Sequence, residues 1–234
     1  MKIETMTIKD IHRAYMERKF TVTEIIKAYL DRIKGFNYPS RTFITLNEEK
    51  ALEDAKLMDL QVLSSKTFDQ LVGIPIAIKD NICTKDLKTT CGSKILKDFI
   101  PSYDANLVKK LRKAGGIVLG KTNMKEFGVG DPGENTLDGV KDMGCILDGG
   151  VASVAAGLAP LAIATDTRGE TRHTAFSYGL VGMKASPGLI SRSGVISLSS
   201  SLDHIGLISR TVEDCALSLG KIQAGTSKDY IEKL

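Results

Sequence analysis

The sequence predicts an α/β fold on three observations. Two cap-led amphipathic stretches open the chain, short apolar runs alternate with helix-like segments from Val72 onward, and glycine or proline punctuates the joins. Thr7 with Asp10, and Thr21 with Glu24, each place a cap residue three positions ahead of an acid, the spacing at which the two can satisfy each other's backbone donors. The apolar spacing Ile25, Ile26, Tyr29, Leu30, Ile33 follows the second pair, so two helices are expected, with Gly35 and Pro39 ending the second. Phe43 to Leu46 reads as a short extended piece, and Glu48 to Leu63 has the composition of a third helix. Residues 1–65 thus form an N-terminal helical segment ahead of an α/β core over residues 66–234.

The run VGIPIAIKDNI from Val72 is apolar until it ends in charge, as a buried strand does when it delivers Lys79 and Asp80 to its tip. Asp104 to Ala114 is amphipathic with Leu107, Val108 and Leu111 inward, Gly115-Gly116 turns the chain, and Ile117 to Leu119 makes a further short strand. Gly128 to Gly150 has no apolar period and reads as a long loop, a length that usually carries function. Val151 to Gly157 reads as a small-residue helix and Leu161 to Thr165 as a strand. Gly179 to Met183 reads as a buried turn or strand, and Glu213 to Ile222 as a helix opened by Thr211.

Composition narrows the function classes. The 234 residues are 42% hydrophobic, and 32 Lys+Arg against 28 Asp+Glu leave a net charge of only +4, with the basic residues scattered. No basic block argues for direct nucleic-acid binding. The longest apolar stretch, Val151 to Ala164, is too short to span a bilayer, and the N-terminus lacks an apolar signal core, so a cytoplasmic location is the default expectation. Cys83, Cys91, Cys145 and Cys215 have neither CxxC spacing nor a histidine cluster, so reduced thiols are expected, with no metal and no cofactor. His12, His173 and His204 are isolated and read as surface or packing residues.

One turn carries most of the chemical information. Thr165 to Thr171 follows an apolar strand, and such a turn is a common mount for a nucleophile because its exposed N–H groups can hold a developing oxyanion. Here the turn presents a carboxylate, Glu170.

Four stretches, GIPIAIKDNICTKDLKTTCGSKIL, YDANLVKKLRKAGGIVLGKTNMKEF, VAAGLAPLAIATDT and SSLDHIGLISRTVEDCALSL, make the sequence resemble the amidase signature family, and within it the A subunits of tRNA-dependent amidotransferases. The resemblance implies an amidase-signature-type fold, a mixed β-sheet flanked by helices. The match covers nearly this whole chain but only the N-terminal half of the family domain. It also implies a site: members are amide hydrolases with a serine nucleophile, a bridging serine and a lysine base. The lysine falls on Lys79. The bridging serine of a G-G-S-S-G-G-S run falls on Ile146, and the nucleophile of a D-T-G-G-S-I-R turn falls on Glu170. Gly144 to Lys184 aligns without gaps, which fixes both assignments.

Both serines are therefore replaced. Ile146 has no hydroxyl to relay a proton, and Glu170 is expected to hold Lys79 as a cation through an ion pair. Arg168 stands in place of a glycine in the turn Thr167, Arg168, Gly169, whose amides would form the oxyanion hole, and is expected to crowd it; Asp148 intrudes likewise on the small-residue run. The expected function is that of a catalytically inactive relative serving in binding, assembly or regulation. The alternative is an active amide hydrolase or amidotransferase using Lys79 with Glu170, or a site completed by a second chain; Thr171 or Cys145 as a replacement nucleophile is a further option. Half a domain leaves faces to be covered by a protein partner or by self-association, and the candidates implied by the resemblance are the amidotransferase B and C subunits.

Overall fold

A computed structural model describes residues 2–65, 67–129, 137 and 148–223. The N-terminal helices form where the caps place them. In α1 (Ile8–Met16) Asp10 N–H donates to Thr7 Oγ1 at 3.1 Å, and Thr7 N–H returns a bond to Asp10 Oδ2. Thr21 and Glu24 make the same reciprocal pair at the start of α2 (Val22–Ser40). Helix α2 runs past Gly35 instead of stopping there. A Cβ at Gly35 would meet nothing within 4 Å, and a lone glycine in a helix costs only about 1 kcal/mol, which the buried face of Ile25, Ile26, Tyr29, Leu30 and Ile33 outweighs. Helix α3 (Glu48–Ser64) sends Asp59 back to accept from Val22 N–H and Thr23 N–H, capping its neighbour.

Among the described residues six strands form one mixed sheet: β1 (Phe43–Leu46), β2 (Pro75–Lys79), β3 (Ile117–Thr122), β4 (Leu161–Asp166), β5 (Val181–Lys184) and β6 (His204–Ser209), in the order β1-β3-β2-β4-β6-β5. The parallel centre β3-β2-β4 is buried along its whole length, as continuous apolar runs require, and antiparallel pairs flank it. The other helices are α4 (Asn106–Lys113), α5 (Gly149–Ala155), α6 (Glu170–Ser177) and α7 (Val212–Ile222). Helix α7 opens on Thr211, whose hydroxyl accepts from Asp214 N–H. Asp214 in turn accepts from Ile8 N–H at 3.2 Å, tying α1 to α7 across 206 positions.

Two elements escape the sequence pattern. Strand β6 starts on His204, just after Asp203, and contains Gly206, which obscures an otherwise apolar run. Helix α6 mixes polar and apolar residues without a clean stripe. Segment 181–184 is a strand but only half-buried, because β5 is the last strand of the described sheet.

The sheet also needs a buried tether. The Lys121 side chain, fully buried under the loop after β2, donates to Ile82 O, to Thr89 Oγ1 at 2.9 Å and to Thr84 Oγ1 at 3.4 Å. Burial pushes this lysine down to about 8, against the opposing pull of Asp80.

Candidate active site

Parallel pairing decides where the site lies. Strands β2 and β4 are neighbours with Ile78 opposite Ile163, so their C-terminal ends leave the sheet together, the position where open α/β sheets hold ligands. Lys79 ends β2; Thr165 and Asp166 end β4. Lys79 is 5% exposed, and its Nζ lies 3.3 Å from Asp148 Oδ2 and 3.2 Å from Thr165 O.

Asp148 reaches this point as the N-cap of α5. Its Oδ1 accepts from Gly150 N–H at 2.7 Å and Val151 N–H at 3.4 Å, which orients Oδ2 toward the lysine. The helix start sits tight against the loop after β3: a Cβ at Gly149 would come within 2.3 Å of Asn123 O, so only glycine lets the cap approach. Thr171, the second residue of α6, completes the cluster; its buried hydroxyl lies 3.0 Å from Thr165 O and 3.3 Å from Asp148 Oδ2.

Glu170 faces elsewhere. Its carboxylate folds back on its own turn, both oxygens 3.2 Å from Thr167 N and Oε2 2.8 Å from Arg168 N. Two convergent backbone N–H groups are what an oxyanion requires, and here a side chain of the same turn occupies them. Gly169 makes the reversal feasible with φ 93°, and its N–H donates to Asp166 Oδ1 at 2.7 Å.

The turn is fixed by two more carboxylates, Asp166 within it and Asp203 outside it. Arg172 Nε pairs with Asp166 Oδ2 at 2.8 Å. Burial raises the Asp166 carboxyl, but the Arg172 guanidinium and the Gly169 N–H outweigh it and leave the group below its ordinary value. Asp203 accepts from the Thr167 hydroxyl at 2.6 Å and also from the Ser197 hydroxyl, Leu198 N–H and Ser199 N–H; these bonds overcome its desolvation and lower it as well.

Three expectations are corrected. The ion-pair partner of Lys79 is Asp148, not Glu170, because the N–H groups next to Glu170 capture its carboxylate first. Arg168 does not crowd the turn: it is exposed and has no positive φ, so its side chain leaves toward solvent. Asp148 is no intrusion, since it caps a helix and neutralises a buried cation. Ile146 and Cys145 lie outside the described residues. Of the remaining sequence candidates the structure brings Lys79 together with Asp148, and Glu170 with Thr167 and Arg168. The sequence reading missed the part played by Asp148, although an aspartate before Gly-Gly and a small-residue helix is an N-cap signal. Thr171, named from the sequence only as an optional replacement nucleophile, joins Lys79 and Asp148 through its hydroxyl, and Asp203 carries no comparable sequence mark. Among the described residues no His, Cys, Asp and Glu group is arranged to hold a metal ion, and no helix is long and apolar enough to cross a membrane.

Known proteins share this architecture. The Amidase family model matches residues 24–233. The chain is 47% identical over 237 residues to the A subunit of the glutamyl-tRNA(Gln) amidotransferase of Alkaliphilus metalliredigens, covering 98% of this chain and 48% of that protein. A solved amidase family protein from Bacillus anthracis superposes with a TM-score of 0.86 at 31% identity, over 98% of this chain and 48% of the other. A chain from a vestigial protein complex tied to the evolutionary origins of an s-triazine catabolic enzyme gives a TM-score of 0.88 at 28% identity, over 94% of this chain and 50% of its own. The chain thus spans about half the length of the relatives it matches. On the family match across residues 24–233 and the shared fold of its sheet and helices, the chain belongs to the amidase family.

Proposed function

We propose that this chain is a non-hydrolytic member of the amidase family, related to amidotransferase A subunits and acting through binding, assembly or regulation. The observation that carries the reading is the state of the turn: the Glu170 carboxylate fills the two N–H groups that an amide's developing oxyanion would need. Lys79 adds support. Among the described residues its Nζ is bonded to Asp148 Oδ2 and Thr165 O and to no hydroxyl whose proton it could take. By its place in the sequence Ile146 replaces the bridging serine, and an isoleucine has no hydroxyl to relay a proton. The test is ammonia release from glutamine and from a simple aliphatic amide by the purified chain. Release no greater than that of Lys79→Ala is the expected result.

The likeness to amidotransferase subunits supports a protein partner, with the amidotransferase B and C subunits as the first candidates. Affinity capture of the tagged chain followed by mass spectrometry tests this; recovery of neither one, in cells that express both, rejects those candidates. The retained Lys79 at the end of β2, beside the end of β4, supports one second reading, an amide hydrolase whose site is completed by another chain. Ammonia release that begins on addition of a bound partner and disappears in Lys79→Ala would establish that reading in place of the first.

A further inference from the structure

Beside the turn lies a second feature that neither the family site nor the proposed function uses. A cavity of about 240 Å³ opens between Arg192, Val195, Ser197, Ser200 and Asp203. It shares a wall with the turn, since Asp203 binds both the Thr167 hydroxyl and Ser197. Val195 pairs with Ile82 just beyond Lys79, so the floor is anchored to the end of β2.

Arg192 gives this cavity its chemistry. Its NH1 donates to Ser200 O at 2.7 Å, which steadies the guanidinium, and among the described residues it has no carboxylate partner. Nε and NH2 remain as a planar fork matched to a carboxylate. The Asp203 carboxylate in the same lining is held by four donors and takes no hydrogen bond from Arg192. Its fixed negative charge does, however, disfavour a second charge on the ligand and so selects a monoanion over a phosphate. The volume falls below the roughly 300 Å³ at which pockets for drug-sized ligands begin. A molecule of amino-acid size fits.

We propose that this cavity binds a small monocarboxylate, its carboxylate on Arg192 and its apolar body against Val195. The proposal is independent of whether the chain hydrolyses amides. Pentanoate is the probe, with pentanamide as its neutral counterpart, titrated into the ¹⁵N-labelled protein and followed by NMR. Saturable shifts from Ser197 to Asp203 are expected with pentanoate, with pentanamide at least tenfold weaker. Arg192→Gln should weaken pentanoate about tenfold without changing pentanamide, and Arg192→Lys should fall between because the charge stays and the fork is lost. Equal binding of acid and amide, wild-type pentanoate binding by Arg192→Gln, or no saturable shift overturns the proposal.

Discussion

Lys79 and Asp148 form an ion pair of 3.3 Å with both side chains withdrawn from solvent, 6% and 1% exposed. Two charges so placed are tolerated only together, because either alone would be a buried ion with its solvation removed. Asp148→Ala should therefore lower stability by about 3–5 kcal/mol. The double variant Lys79→Met/Asp148→Ala should lose clearly less than the sum of the single losses. Urea denaturation of the four proteins checks this; strict additivity contradicts it.

Glu170 stands outside that pair, and its contribution is that of a local cap. Glu170→Ala should cost about 1 kcal/mol, the ordinary loss on removing a side-chain acceptor from free N–H groups at a helix start. Combined with Lys79→Met, its effect should add within about 0.5 kcal/mol, since the two residues share no bond. A larger coupling in thermal or urea unfolding would return Glu170 to the neighbourhood of the lysine.

The buried tether at Lys121 predicts a pH dependence. An unfolded lysine titrates near 10.5, whereas burial holds Lys121 at about 8. Between those values the unfolded chain keeps the proton and the folded chain does not, so this group's contribution to stability improves as pH rises from 8 toward 10.5. Below pH 8 its full penalty stands, on the order of 3 kcal/mol. Cys91 acts in the opposite direction: burial lifts its thiol from 9.0 to about 12, so stability falls as pH climbs from 9 toward 12. Measured from about pH 7 to 11, the stability of wild type minus that of Lys121→Met should rise across the lysine window; a flat difference is the contrary result.

Thiol chemistry gives a further check. Cys83, Cys91 and Cys215 are buried, and desolvation raises both Cys91 and Cys215. The thiolate is the reactive form, so none of the three should be alkylated appreciably by iodoacetamide at about pH 8 in the folded protein, and all three should be alkylated in urea. Peptide mass spectrometry reads the difference.

Much of this architecture is written in local signals. The boxes Thr7/Asp10 and Thr21/Glu24, the inward spacing of α4 and the apolar run into Lys79 each state their structure within a few residues, because caps and periodicity are short-range. Strand β6 and helix α6 are not so written. Strand β6 is defined by neighbours distant in the chain, β4 and β5 on either side of it, which no window of sequence contains. The site divides the same way. Lys79 and the turn around Glu170 are visible as positions, but which carboxylate meets the lysine depends on how α5 docks against the ends of β2 and β4. The match of charges Lys79 and Glu170 pointed to the wrong pair, since sequence shows complementary residues and not the nearer N–H groups that claim one of them.

The bond from Ile8 N–H to Asp214 joins the start of α1 to α7, 206 positions later. A ribosome adding roughly 5–20 residues per second needs about 10 to 40 s to cover that distance. Throughout that interval the first helix exists without its distant acceptor. Helix α1 is thus finished only when α7 has been made, and completion of this tie is timed by synthesis of α7.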